Sequence, residues 1–326
     1  MVFMRTSNEN IITLLDQQLG PNILDLLQDQ DIIEVLLNPD GRLWVDSHQG
    51  RRDTGLKINA RRAQTIISIV SGSVCEETHR NAPLIEAELP GSLYRFTGLL
   101  PPIVASPTFT IRKRARQVFT LADYVDAMVM PQAAADYLKA AVRNKHNILV
   151  SGGTGSGKTT LTNALLQEIA LGGDRVVMIE DTQELQCRAQ DFVALRTKGP
   201  QVTLQDLIRT TLRLRPDRII VGEVRGAEAL DLLKAWNTGT PGGIATIHAD
   251  SAVKSLMRLE QLIAEVSVSS QRDAIAQTIN SIVQVARTDR GRRVTEIIEV
   301  TGLSADKNYT FETIYLKEEE RICLIK

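Results

Sequence analysis

Eight consecutive residues, Gly152-Gly153-Thr154-Gly155-Ser156-Gly157-Lys158-Thr159, constrain this chain of 326 residues more than any other stretch. They fit the pattern G-x-x-x-x-G-K-[ST]. They lie between an apolar run expected to be a strand, Asn147–Ser151, and one expected to be a helix, Leu161–Ala170. That strand–loop–helix context is what a phosphate-binding loop requires. Glycines let backbone N–H groups turn inward onto phosphate oxygens, and the helix N-terminus adds positive potential. The expected nucleotide contacts are Gly152, Gly153, Thr154, Gly155, Ser156, Gly157, Lys158, Thr159 and Thr160. Lys158 should reach the β- and γ-phosphates of ATP, and the Thr159 hydroxyl should serve Mg2+.

Three further stations follow, each an apolar strand that delivers a polar residue to its carboxyl end, where open α/β sheets bind ligands. Ile219-Ile220-Val221-Gly222-Glu223 ends on an acid that should complete the Mg2+ shell through water. Met178-Ile179-Glu180-Asp181-Thr182-Gln183-Glu184 carries two adjacent carboxylates. Glu180 is the candidate general base, with Glu223 its competitor, and Asp181 reads as a cap or loop anchor. Ile244–Ile247 delivers His248, for which a γ-phosphate or switch role and a purely structural role both stand open.

The rest of the chain supplies a frame for these stations. From residue 132 onward apolar strands alternate with amphipathic helices: strands at Arg175–Glu180, Asp191–Thr197, Arg218–Val221 and Gly243–His248, helices at Gln132–Lys145, Leu204–Leu214, Ala227–Trp236 and from Val253. This rhythm implies a mostly parallel sheet covered on both faces. Ile282–Arg287 and Arg293–Val300, around Thr-Asp-Arg-Gly, read as an antiparallel hairpin added to it. Residues 1–116 read as a smaller α+β domain. Ile11, Ile12, Leu14, Leu15 and Leu19 form a helical stripe, and Asn-Pro-Asp-Gly joins two strands, Ile32–Leu37 and Arg42–Asp46. A helix at Ala60–Val70 is followed by short strands at Leu84–Leu89, Leu93–Gly98 and Thr108–Arg112. The basic run Arg112–Arg116 opens residues 117–131, taken as a linker.

Composition excludes several classes. Thirty-eight basic against 39 acidic residues leave a net charge of −1, and only 4% of residues are aromatic. Both facts argue against direct nucleic-acid binding, which favours a basic excess and stacking rings. Cys75, Cys187 and Cys323 form no CxxC pair, and His48, His79, His146 and His248 lack metal-ligand spacing, so neither a zinc ribbon nor a redox pair is indicated. The first twenty residues lack the basic and apolar regions of a signal peptide, and no apolar run approaches the ~20 residues that span a bilayer. A cytoplasmic protein is expected, peripheral on the inner membrane only through partners.

The four stations in this order resemble the secretion (traffic) ATPases: a Walker A box, the Asp box Ile179-Glu180-Asp181-Thr182, a Walker B box at Ile219–Glu223, and the His box Ala245-Thr246-Ile247-His248-Ala249. The resemblance extends to Arg95-Phe96-Thr97-Gly98, Pro101-Pro102 and Phe109-Thr110-Ile111-Arg112-Lys113. Chain length and the compact N-terminal domain favour the type IV secretion branch over the larger type II secretion ATPases, with a type II secretion or type IV pilus ATPase as the alternative. The resemblance implies a RecA-like P-loop domain at residues 132–326, a homohexameric ring with nucleotide between the domains, and ATP hydrolysis that drives conjugative DNA transfer or pilus assembly. It also implies inner-membrane partners, and arginines at Arg95 and Arg112 that reach the phosphates, with Arg225 a lesser candidate. Two rival functions are a RecA-like helicase or translocase, disfavoured by charge and aromatic content, and a nucleotide-gated scaffold, disfavoured because Lys158, Glu180 and Glu223 are all present.

Overall fold

The structure is a computed structural model that describes residues 2–47, 49–74, 82–92, 94–113, 118–199 and 201–317, with side chains from residue 9. It divides into two compact units, Met1–Arg116 and Gln117–Lys326. Leu93, Arg114–Arg116, His48, His79, Cys75 and Cys323 lie outside the described residues.

The first unit is a two-layer α+β fold. Its elements are α1 (Val2–Gln28), broken at Gly20, then β1 (Ile32–Leu37), β2 (Arg42–Ser47), β3 (Gly50–Lys57), α2 (Ala60–Ser73), β4 (Leu84–Glu88), β5 (Arg95–Leu99) and β6 (Thr108–Arg112). The strands form one sheet, order β3-β2-β1-β6-β5-β4, with every neighbouring pair antiparallel. The Asn-Pro-Asp-Gly segment is the expected hairpin turn, closed by Gly41 N–H to the Asn38 carbonyl (2.9 Å). Apolar residues of α1 and α2 (Leu15, Leu19, Ile66, Ile67, Val70) bury against Val35, Phe96, Phe109 and Ile111 of the sheet. Period-2 burial along β5 and β6 is the signature of a sheet with one face on a core.

The second unit contains α3 (Leu121–Asp126), α4 (Gln132–Arg143), β7 (Ile148–Ser151), α5 (Lys158–Ala170), β8 (Val176–Glu180), β9 (Phe192–Arg196) and α6 (Leu204–Thr211). Then come β10 (Arg218–Val224), α7 (Glu228–Asn237), β11 (Ile244–Ile247), α8 (Ala252–Ala264), α9 (Arg272–Thr278), β12 (Ser281–Thr288), β13 (Gly291–Leu303) and β14 (Tyr309–Leu316). Its eight strands form one sheet, order β14-β13-β12-β7-β11-β10-β8-β9. The run from β12 to β9 is parallel, while β13 and β14 add antiparallel.

Both faces of β7, β8, β10 and β11 are buried, and their residues alternate between two cores, while the edge strand β9 is exposed or half-buried throughout. Ile148, Val150, Met178 and Ile220 pack with α4 and α5, through Leu138, Leu161 and Leu165. Leu149, Ile179, Ile219 and Val221 pack with α7 and α8, through Leu232, Trp236 and Leu259. Continuous apolar strands are what such double cover selects.

Two expectations need correction. Residues 117–131 are not a plain linker: α3 lies there, and Leu121, Tyr124 and Met130 are buried in the core of the second unit. Thr120 and Asp123 cap α3 reciprocally, so the helix start is fixed locally. The helix expected over Leu204–Leu214 is α6 followed by a 3-10 turn, Leu212–Leu214. Arg215 precedes Pro216, and a residue before proline is disfavoured from the helical region.

Candidate nucleotide site

Register brings the four stations to one sheet edge. Ser151 of β7 pairs with Ile247 of β11, Ile247 with Val224 of β10, and Val221 of β10 with Ile179 of β8. The phosphate loop, Glu180, Glu223 and His248 therefore leave four neighbouring strands on the same side. A register shift between Val221 and Val224 marks a bulge that re-aims Glu223. The Thr246 hydroxyl fixes the bulge by donating to the Gly222 carbonyl (2.6 Å).

The loop has the shape its glycines predict. Gly152 has φ +157, and a Cβ there would lie 2.2 Å from the Val285 carbonyl oxygen and 2.5 Å from Ser156 Oγ. No larger residue fits. Gly153, Thr154 and Gly155 are exposed at the loop tip, and Thr160 is half-buried on the first turn of α5. Ser156 is 3% exposed, and among the described residues its Oγ has no hydrogen-bond partner. An orphaned buried hydroxyl in a loop of this type fits a phosphate oxygen as its missing partner.

Lys158 is buried, and Nζ donates to the carbonyls of Gly152 (2.9 Å) and Gly153 (3.0 Å). Nζ also lies 3.2 Å from His248 Nδ1, while His248 Nε2 lies 2.7 Å from Glu223 Oε1. With Nδ1 bare, the imidazole accepts from Lys158, while Nε2 meets Glu223 as a close polar contact in which Oε1 forms no hydrogen bond among the described residues. Burial and the Lys158 charge hold the His248 pKa below its ordinary value, against the pull of Glu223. Arg225 donates to Glu223 Oε2 (2.6 Å) and lies 3.7 Å from Asp181 Oδ2. Burial opposes ionisation of Glu223. Arg225, then His248 and Lys158, outweigh it and hold the carboxyl below the usual carboxylate range. Asp181, expected as an anchor, accepts from the Thr197 hydroxyl (3.0 Å).

Glu180 stands differently from the expected general base. It is buried, and its Oε1 accepts from the backbone N–H groups of Glu184 (3.0 Å) and Leu185 (2.8 Å). Gly222 makes room for it, since a Cβ there would lie 2.9 Å from Glu180 Cγ. Glu180 thus folds the loop after β8 back on itself and presents Glu184. Glu184 Oε2 accepts from Thr159 Oγ1 (3.2 Å), and Asn163 holds the same loop through the Gln186 N–H (2.8 Å). Glu184 is the residue that sequence reasoning missed. It stands four residues beyond Glu180 in an irregular loop, and only the backbone fold shows that it meets Thr159. A hydroxyl beside a carboxylate offers the oxygen donors that Mg2+ selects.

Arg95 and Arg112 belong to the first unit, where they are direct cross-strand neighbours on β5 and β6. Arg95 pairs with Glu86 (3.8 Å) and Arg112 with Glu34 (3.7 Å). Like charges directly opposite repel, and the two glutamates offset this.

A doubly covered parallel sheet with a phosphate loop and acids at its carboxyl edge defines a RecA-like P-loop fold. The chain belongs to the type II/IV secretion system protein family, whose profile matches residues 84–309. It is 44% identical to a probable conjugal transfer protein TrbB from Sinorhizobium fredii, over 96% of both chains. It is 42% identical to the conjugal transfer protein TrbB of Rhizobium radiobacter, over 97% of this chain and 98% of that one. Among solved structures it resembles the pilus retraction motor PilT with bound ADP. The TM-score is 0.65 and the identity 19%, over 90% of this chain and 84% of that chain.

Proposed function

We propose that this protein hydrolyses MgATP and, as a homohexameric ring, powers type IV secretion, either conjugative DNA transfer or pilus assembly. It would act on the cytoplasmic side of the inner membrane through membrane-embedded partners. Among the described residues no helix is long and apolar enough to cross a membrane. The observation that carries the reading is the chain of contacts Lys158–His248–Glu223 beside a phosphate loop whose Ser156 hydroxyl is buried and unpartnered.

In this reading the loop amides and Lys158 bind the β- and γ-phosphates, with Lys158 exchanging its carbonyl contacts for phosphate oxygens. Thr159 and Glu184 would hold Mg2+, which when bound neutralises and orients phosphate oxygens. Glu223 takes the proton of the attacking water, and the water oxygen bonds to the γ-phosphorus. The bond from that phosphorus to the bridging oxygen breaks, leaving ADP and phosphate. Glu223 is taken as the base on position: it meets His248, which contacts Lys158 at the phosphate loop, whereas Glu180 is buried and holds the loop after β8 through two backbone amides. His248 orients Glu223 and links it to Lys158. Arg95 and Arg112 are assigned to the phosphates by the family likeness alone.

The test compares two isosteric variants by nucleotide binding and steady-state phosphate release. Glu223→Gln should bind MgATP like the parent and lose ~10²-fold or more in kcat, the lower end of base catalysis. Glu180→Gln should loosen the loop after β8 and weaken the Mg2+ dependence. If Glu180→Gln alone abolishes turnover at full affinity while Glu223→Gln does not, the base assignment is reversed.

A further inference from the structure

The turn between β12 and β13 carries charge that the site above does not use. Arg287, Arg290, Arg292 and Arg293 lie within seven residues, with Asp289 the single acid among them. In register, Arg287 of β12 stands directly opposite Arg292 of β13. Like charges so placed destabilise a strand pair unless an anion compensates. Among the described residues, Arg292 has no carboxylate within ion-pair distance.

Arg292 is not loose on the surface. Its Nε donates to the carbonyl of Gly155, at the tip of the phosphate loop (3.1 Å). Its Cδ lies against Gly157, where an added Cβ would be 3.2 Å away. The same strand pair backs the loop from below, since the Val285 carbonyl closes the space beside Gly152. The hairpin thus anchors a guanidinium on the loop through one N–H. Its two terminal amino groups make no hydrogen bond to any described residue. A guanidinium presents its donors in a fixed fork that matches phosphate oxygens.

We propose that Arg292 is a nucleotide-binding residue: anchored on Gly155 through Nε, it donates its terminal N–H groups to the phosphate chain of the bound nucleoside triphosphate or diphosphate. The inference rests on the nucleotide-binding reading of the loop. It gives the antiparallel hairpin a task in the site, and makes β12–β13 the element that registers phosphate occupancy.

The alternative for the same contact is a brace that shapes the loop and never touches ligand. Side-chain geometry separates the two. Glutamine carries an N–H on its Cδ, where arginine carries Nε, so Arg292→Gln keeps a donor for Gly155 and removes the fork and the charge. Lysine keeps the charge beyond that position. Binding of MgADP and of inorganic pyrophosphate is measured by calorimetry on the full chain, with Lys158→Ala as control and thermal melting to confirm folding. Arg292→Ala and Arg292→Gln should both weaken MgADP and pyrophosphate about tenfold or more, as expected for a lost charge-assisted hydrogen bond. Arg292→Lys should recover part of that loss, and the salt dependence of binding should fall in the two neutral variants. If Arg292→Gln binds both ligands like the parent, Arg292 is a brace or a bystander and the inference is overturned. If the parent itself binds neither ligand, the functional reading falls as well, so the two failures differ.

Discussion

Lys158 shows how far single residues were legible. The motif named it, and the structure places its ammonium on two loop carbonyls and on His248. His248 was open between a structural and a catalytic role, because one histidine at a strand end has no sequence signal for its partners. Glu184 was invisible for the same reason: its meeting with Thr159 depends on two backbone bonds to Glu180. The lowered pKa of His248 gives a pH prediction. The folded value lies below the ordinary 6.5, so the imidazole is neutral near pH 7 and the unfolded chain takes up this proton first. The stability held above that value is therefore lost as pH falls. Glu223 acts in the same direction lower down: its contribution is full above 4.5 and disappears as pH falls through its folded value. Protonation at Nδ1 would also put a second cation beside Lys158. Turnover should stay level above the histidine range and decline below it, and His248→Gln should remove that acidic decline. A pH–rate profile of both proteins checks this, and an unchanged acidic limb in His248→Gln would refute it.

At the scale of elements, pattern read the parallel strands and their covering helices because β7, β8, β10 and β11 are apolar on both faces, while the edge strand β9 alternates. The hairpin of β1 and β2 was legible from its turn chemistry. What escaped were elements whose reasons are tertiary. The segment of β3, Gly-Arg-Arg-Asp-Thr-Gly-Leu-Lys, has no apolar alternation and is a strand only because it pairs with β2. Of the eight residues of β14 five are exposed and three half-buried, and its pairing with β13 defines it. The start of α3 did carry a local signal, the Thr120–Asp123 cap, hidden in a stretch that composition marked as a connection. The bulge in β10 is the element on which the acid cluster depends, and Gly222 is its weak point. Gly222→Ala would press a methyl within 2.9 Å of Glu180 Cγ. Overpacking of this kind costs ~1–3 kcal/mol. Denaturant unfolding should show that loss, and kcat should fall with it because both Glu180 and Glu223 shift; parent-like stability and kcat would contradict this role for Gly222.

At the scale of the whole molecule, the unit boundary after Arg116 decides where the chain can be cut. A fragment that starts at Pro131 leaves Leu121, Tyr124 and Met130 out of the second core, whereas one that starts at residue 118 keeps them. Large core truncations cost ~2–5 kcal/mol each, so the shorter fragment should melt well below the longer one. Equal melting temperatures would show that α3 adds nothing to that core. The proposed ring makes a second prediction. The full chain should scatter light as a hexamer with nucleotide, and Arg95→Ala with Arg112→Ala should lower kcat by ~10³-fold or more, as for an arginine finger, with binding less affected. A monomer with parent kcat would remove both the ring and these arginines from the chemistry. The claim beneath all of this is that the phosphate loop turns over ATP, and Mg2+-dependent phosphate release by the purified full chain beside Lys158→Ala tests it most directly. The account predicts steady turnover in the parent and none in the folded variant, while turnover at the parent rate in Lys158→Ala would contradict it.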